Sequence, residues 1–158
     1  MRLVRIIVVV GLVAGVCDAE EMVATKPAET STMTPKSHIP RDQLQQMFDG
    51  IRQQTKWNID GDMLWGYFFS DARPDRLKAV RRELEAQGYR FVDLYETEQD
   101  GKPSGVFMLH VGRVEKHSVD SLDSRNGELD ALAAKHGLQA YDGMDVGPAT
   151  QPATRPAE

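Results

Sequence analysis

The sequence predicts an α+β domain of the ferredoxin-like type, a βαββαβ antiparallel sheet with an additional N-terminal helix. Three observations predict this fold. Helical and strand-like apolar patterns alternate along the chain, two of the predicted helices end at a glycine, and a glycine-rich turn joins two neighbouring strand patterns. With 158 residues, the chain is long enough for one ordinary core. In this fold both crossover helices cover the same sheet face, so the opposite face is bare.

The additional helix is predicted over residues 41–57, where Leu44, Phe48 and Ile51 follow the spacing of one apolar stripe. The next segment, 63–69, is bulky, aromatic and of strand length. We expect the additional helix to cover part of the bare sheet face. Two alternatives remain open, since it could also pack beside the crossover helices or exchange with a second copy.

The two crossover helices are marked by capping residues. Residues 75–87 form a helical pattern, and Gly88 suits the left-handed position that ends such a helix. Ser118 is a good N-cap for the last helix, and Gly137 ends it. Both helices are therefore predicted with defined ends.

Three further strands complete the pattern. Residues 89–96 alternate between apolar and polar side chains, and the glycine-containing turn 99–105 leads into a second strand over 106–114. A last short strand is predicted over 138–146. Together with the aromatic strand, these segments give the βαββαβ order.

The first 19 residues are predicted to be a secretory signal. Arg2 and Arg5 precede an uncharged apolar run that is too short to cross the roughly 30 Å hydrocarbon layer of a bilayer. Two cleavage patterns compete. Either Cys17 becomes a lipidated first residue, or cleavage after Ala19 removes it. We therefore expect a protein of the periplasm or cell envelope, attached to a membrane only through a lipid at Cys17.

The segments on either side of the domain lack a periodic spacing of apolar residues. Residues 20–39 are rich in Thr, Pro, Glu and Ser, and residues 148–158 in Pro, Ala and Thr. Such compositions bury too little apolar surface to offset the entropy of ordering. We expect a disordered tether and a disordered tail around a folded domain over 40–147.

Charge and cysteine content exclude several functions. The chain has 19 Lys and Arg against 24 Asp and Glu, a net charge of −5 that disfavours binding to nucleic acid. Cys17 is the single cysteine, which excludes an internal disulfide and a multi-cysteine zinc site. No Gly-x-Ser-x-Gly motif and no glycine-rich phosphate loop occur. We expect no catalytic residues, no cofactor and no metal.

The polar residues of the last helix are predicted to be structural. Arg125 and Asn126 lie at positions that point toward the buried stripe of that helix. A buried guanidinium needs a carboxylate partner, and Asp142 and Asp145 on the neighbouring last strand are the candidates.

Four other residues are candidates for partner binding. Trp65, Tyr67 and Tyr95 would be core residues in most proteins, but they become anchors for a partner if the strand alternation leaves them on the bare face. His110 shares the alternation of its strand neighbours, and His117 is predicted to be a solvated turn residue. Their odd spacing places the two histidines on opposite faces and opposes a shared metal.

Several phrases carry a resemblance to a known family. They are Leu64-Trp-Gly-Tyr-Phe-Phe69, Glu85-Ala-Gln-Gly-Tyr89, Ser121-Leu-Asp-Ser-Arg-Asn126, Glu128-Leu-Asp-Ala-Leu-Ala133 and Tyr141-Asp-Gly-Met144. With them the chain resembles the RraB family, the regulators of ribonuclease activity B, over about residues 62–147. The resemblance implies a ferredoxin-like fold and a non-enzymatic protein that binds and restrains ribonuclease E.

Three functional hypotheses follow. The first is a non-enzymatic RraB-like module, exported to the bacterial envelope, that binds a different protein partner. The second is a cytoplasmic regulator of ribonuclease E, which requires that the first residues do not direct export. The third is a small envelope hydrolase that uses His110 or His117 with Asp142 or Asp145.

Overall fold

A computed structural model describes residues 6–7 and 39–149 of the chain. Most of the predicted signal segment with Cys17, nearly all of the tether and most of the C-terminal tail lie outside the described residues. The elements, in chain order, are β1 (Ile6–Ile7), α1 (Arg41–Gln54), β2 (Met63–Asp71), α2 (Pro74–Ala86), β3 (Arg90–Gln99), β4 (Lys102–Glu115), α3 (Val119–Lys135) and β5 (Ala140–Pro148).

The strands form one antiparallel sheet in the order β1-β5-β2-β4-β3. Strands β2 to β5 with helices α2 and α3 form the βαββαβ unit, which confirms the predicted ferredoxin-like α+β fold. The short β1 extends the sheet at its β5 edge, where Ile6 pairs with Val146 and Ile7 with Asp145.

Helix α1 lies beside α3, on the side of the sheet that the crossover helices cover. The apolar stripe of α1 is buried there, and Phe48 stacks on Trp65 with 6.1 Å between ring centroids. Arg41 at the start of α1 also pairs with Asp120 in α3. The helix therefore does not cover the bare face, and packing beside the crossover helices is the alternative that the structure adopts.

The core lies between the three helices and one face of the sheet. Trp65, Tyr67 and Phe69 of β2 are fully buried on this face. The helices contribute apolar stripes that are also fully or almost fully buried: Leu44, Phe48 and Ile51 from α1, Leu77, Val80 and Leu84 from α2, and Leu122 and Leu129 from α3.

The helix ends agree with the predicted caps. The Ser118 side chain accepts a hydrogen bond from the Ser121 backbone and completes a capping box. Gly88 and Gly137, with φ of 90° and 60°, follow α2 and α3 in the left-handed region that favours glycine. Among the described residues, no helix is both long and apolar enough to cross a bilayer.

Candidate functional site

Polar side chains from three of the sequence segments that carry the family resemblance meet beneath α3. Side chains from the end of β4 join them. We call this group the buried polar cluster; its members are Tyr67, Glu115, His117, Arg125, Asn126 and Tyr141. At its centre, the Glu115 carboxylate accepts hydrogen bonds from Arg125 Nη2 at 2.9 Å and from the Tyr67 hydroxyl at 3.2 Å. The Tyr67 hydroxyl also lies 3.3 Å from His117 Nε2.

The carboxylate of Glu115 is held in its charged form. Burial by itself would raise the pKa of Glu115, but the neighbouring His117 ring and the positive charges of Arg125 and Arg113 outweigh it, so the pKa is lowered. Burial also raises the pKa of the Tyr67 hydroxyl, which therefore stays protonated and able to donate. The buried polar cluster therefore joins α3 to the end of β4 through the ion pair between Arg125 and Glu115.

A second contact joins α3 to β5. The Tyr141 hydroxyl donates a hydrogen bond of 2.7 Å to Asn126 Oδ1. Both side chains are almost inaccessible, and burial raises the pKa of Tyr141 well above its usual value. This bond connects the Ser-Arg-Asn phrase of the helix to the Tyr-Asp-Gly phrase of the last strand.

Two buried polar atoms of the cluster and one beside it have no hydrogen-bond partner among the described residues. They are the Tyr89 hydroxyl, Arg125 Nε and Asn126 Nδ2. Tyr89 packs edge-on against the Tyr67 ring, and the guanidinium of Arg113 lies 5.2 Å from the Tyr89 ring centroid. Buried polar groups of this kind are the usual partners of ordered water molecules in protein interiors.

Some residues selected from the sequence occupy other positions than expected. Trp65 and Tyr67 are fully buried beneath the helices, so a partner cannot reach them. Arg125 pairs with Glu115 and, at its outer edge, with Glu128, rather than with a carboxylate of the last strand.

The carboxylates of the last strand lie apart from Arg125. Asp145 pairs with Gly66 in the register of β5 and β2, and its carboxyl group lies on the sheet face opposite α3. Asp142 is exposed. Tyr141 and Val146 both lie on the helix side, although they are five residues apart, because the register shifts between Tyr141 and Gly143.

His117 is buried rather than solvated, with 5% of its surface exposed. Its Nδ1 lies 3.0 Å from the Ser121 hydroxyl, although the histidine of a serine hydrolase contacts its serine through Nε2. Here, however, the Ser121 hydroxyl donates to the Ser118 carbonyl and accepts from the Ser118 backbone N–H, so it serves as part of the helix cap. Among the described residues, no three His, Cys, Asp or Glu side chains are grouped to hold a metal.

The opposite side of the sheet carries no described helix. We call it the open face and define it by Leu64, Phe68, Tyr95, His110 and Val114, which the strand register places on this side. Phe68 and His110 stack with ring centroids 4.3 Å apart and an interplanar angle of 20°. Tyr95 and Val114 are 41% and 48% exposed, the large apolar side chains with the greatest exposure among the described residues.

Gly66 lies at the centre of the open face, and two polar groups close over it. A Cβ atom at this position would collide with Asp145 Oδ1 and with His110 Nε2, so only glycine leaves room for both. Asp145 is 8% exposed, and its Oδ1 atom lies beside His110 Nε2 over Gly66. The open face therefore contains a largely buried carboxylate beside an aromatic pair.

Tyr95 lies in a negatively charged environment. Partial burial raises the pKa of Tyr95, and the negative charges of Asp93 and Asp142 raise it further. Asp93 is the register partner of His110. The open face thus combines exposed aromatic surface with negative charge.

Sequence reasoning missed several of these residues. The strand predicted over 106–114 stops one residue before Glu115, but β4 continues through Glu115 and brings it under α3. Phe68 and Gly66 alternate with Trp65 and Tyr67 along β2. This alternation is the sequence signal that separates the two pairs onto opposite faces of the sheet. The alternation by itself does not show which of the two faces the helices cover.

A family model described as "Regulator of ribonuclease activity B" matches residues 41–146. The match extends from the first residue of α1 into β5 and includes the buried polar cluster and the open face. No curated protein matches the chain.

Proposed function

Since the chain belongs to the RraB family, a family of ribonuclease regulators, we propose that it is a non-enzymatic module that binds another protein through its open face. The family match supports a regulatory role. The position of the binding surface and the identity of the partner belong to this proposal.

One observation carries the choice of surface. The aromatic residues of β2 on the helix side are fully buried, whereas Tyr95 and Val114 stay exposed around the Phe68–His110 stack on the other side. Aromatic side chains in a partly apolar patch are the usual anchors of protein interfaces. The open face therefore carries the two exposed large apolar side chains of the described residues, which a partner would remove from water.

The N-terminal segment supports export as the second element of the proposal. A basic start followed by a short apolar run is typical of secretory signals. An exported protein does not meet a cytoplasmic ribonuclease, so in that case the partner is a protein of the cell envelope.

A second candidate function is regulation of ribonuclease E in the cytoplasm. It is favoured by the extent of the family match, which spans α1 to β5 without a missing element. Cell fractionation separates the two candidates, because a fully cytoplasmic pool contradicts export and an envelope pool contradicts contact with ribonuclease E.

Lipidation at Cys17 is tested by metabolic labelling with a fatty acid. We expect the wild-type chain to be labelled and Cys17→Ser to be unlabelled if the lipoprotein pattern operates. Equal labelling of both chains would contradict attachment at Cys17. An unlabelled wild-type chain in the soluble envelope fraction would support cleavage after Ala19.

Partner binding is tested by affinity capture from envelope and cytoplasmic fractions with the full chain as bait. Tyr95→Ala should reduce recovery of a specific partner, because it removes an exposed anchor. Arg82→Ala, an exposed position on α2, is the matched control and should leave recovery unchanged. If no fraction yields a partner that the wild-type bait retains specifically, the proposed function is contradicted.

A further inference from the structure

The two edges of the sheet differ in how they are closed. At one edge, β3 carries the exposed Glu96 and Glu98, and its pairing with β4 shifts register twice. Charged side chains and register shifts of this kind discourage the addition of another strand. At the other edge, residues 143–146 of β5 are all buried, and Asp145 is the one charged residue among them. This stretch of β5 therefore lacks the features that protect the edge of β3.

Strand β1 closes the β5 edge. Ile6 pairs with Val146 and Ile7 with Asp145 in antiparallel register, on the side of β5 that does not pair with β2. Residues 6–10 are consecutive isoleucines and valines, the β-branched residue types that favour strands. Composition and register thus agree that this segment forms an edge strand.

The same residues begin the apolar part of the predicted secretory signal. The uncharged run starts at Ile6, directly after Arg5, so β1 consists of the first two residues of the part that would enter a membrane. Pairing with β5 holds these residues beside the folded domain, whereas insertion places them in the bilayer. Ile6 and Ile7 cannot occupy both positions at the same time.

We propose that the edge of β5 is a docking site for the chain's own N-terminal strand, and that this docking competes with membranes for the N-terminal segment. The inference rests on the export element of the proposed function and adds a conformational device that regulates it. A chain that reaches a membrane before folding inserts the segment without this competition, whereas a folded chain must first release it from β5. Cleavage before Cys17 or after Ala19 removes β1 and leaves the β5 edge open.

The competition is reversible, because two residue pairs form a short ladder. Arg2 and Arg5 favour the membrane-bound state at an anionic surface. A covalent link between β1 and β5 would remove the reversibility. It should therefore abolish binding to a membrane through this segment.

A disulfide between β1 and β5 tests the pairing in the full chain. Cys17→Ser removes the natural thiol, and Ile6→Cys with Val146→Cys then places two thiols at directly opposed positions. Opposed Cα atoms of an antiparallel ladder lie roughly 4.5–5.5 Å apart, within the range that a disulfide spans. We expect an intramolecular cross-link on mild oxidation, detected by non-reducing electrophoresis and by mass spectrometry.

A matched control keeps the first thiol and moves the second. Ile6→Cys with Val114→Cys, in the same background, uses an exposed position of β4, three strands away from β1 in the sheet. Neighbouring strands are spaced about 4.8 Å apart, so this pair should cross-link at least about ten-fold more slowly. Because Val146 is buried, Ile7→Cys with Asp145→Cys tests the same register if the first variant does not fold.

Flotation with vesicles tests whether pairing and membrane binding exclude each other. The chain with Ile6→Cys and Val146→Cys is mixed, oxidised or reduced, with vesicles of phosphatidylethanolamine and phosphatidylglycerol in equal amounts. We expect a fraction of the reduced chain to float with the vesicles and the oxidised chain to lose this binding. The single variant Ile6→Cys is the control for oxidation itself and should float equally under both conditions.

Three results would overturn the inference. Cross-linked dimers in place of monomers would place β1 on a second copy, and cross-linking no faster than in the control would contradict the pairing. Equal flotation of the oxidised and reduced chains would show that pairing and membrane binding are compatible. If the cross-link forms but the reduced chain never floats, β1 is a structural strand, and the export element of the proposed function fails with the inference. Partner binding through the open face would then still stand, because affinity capture tests it separately.

Discussion

Replacing Tyr141 with Phe should destabilise the domain, because it removes one hydroxyl and leaves a buried amide without its partner. That hydroxyl donates a 2.7 Å hydrogen bond to Asn126 Oδ1, and the Asn126 side chain is 1% exposed. Since Asn126 Nδ2 has no partner among the described residues, the variant leaves both ends of the amide unsatisfied.

The expected loss is about 1–3 kcal/mol in the free energy of unfolding, the usual cost of an unsatisfied buried polar group. For a domain of this size, each kcal/mol corresponds to a decrease of roughly 4–8 °C in melting temperature. Urea denaturation followed by circular dichroism measures the free energy, and thermal unfolding gives an independent value.

Two further variants make this prediction specific. Tyr95→Phe removes the same hydroxyl from an exposed tyrosine and should change stability by no more than about 0.5 kcal/mol. Combining Tyr141→Phe with Asn126→Leu removes both partners, so the double variant should lose less than the sum of the single losses. If Tyr141→Phe is no more destabilising than Tyr95→Phe, the assigned role of this bond is wrong.

Three other predictions concern the sheet, the buried polar cluster and the helix cap. Gly66→Ala should displace the Asp145 and His110 side chains and lower the free energy of unfolding measured in urea; an unchanged free energy would contradict the close approach. The pKa of Glu115 in the folded protein lies below the ordinary value of a glutamate, so its charge stabilises the fold above that ordinary value, and this contribution is lost as pH falls through the lowered folded-state pKa. The stability difference between wild type and Glu115→Gln should therefore shrink in acid, and a pH-independent difference would count against the ionic role. Ser118→Ala removes the N-cap of α3 and should lower the free energy of unfolding, measured by chemical denaturation, by about 1 kcal/mol. An unchanged free energy would show that the cap does not stabilise the domain.

The order of the elements could be predicted because its signals are local. Gly88 and Gly137 adopt the left-handed conformations that end α2 and α3, and Ser118 caps α3, as their residue types indicate. The aromatic run that becomes β2 and the alternating run that becomes β3 are likewise local patterns. These signals depend on neighbours along the chain, so no knowledge of the packing was needed.

The candidate site was less predictable from the sequence. Tyr95 and His110 were selected as surface candidates and lie on the open face, but Trp65 and Tyr67 were selected with them and are fully buried. All four are aromatic or imidazole side chains in strands. Residue type and alternation divide a strand into two sets, but do not reveal which set the helices cover.

The sequence by itself determined the α+β class, the order of the elements, the helix ends and the acidic charge, since each follows from residue type and short-range spacing. Only the tertiary structure decided that α1 lies beside α3, that Arg125 pairs with Glu115, and that Asp145 closes over Gly66 on the open face. These contacts join residues far apart in the chain, and their free energies depend on how complete faces pack together. Local patterns do not contain that information.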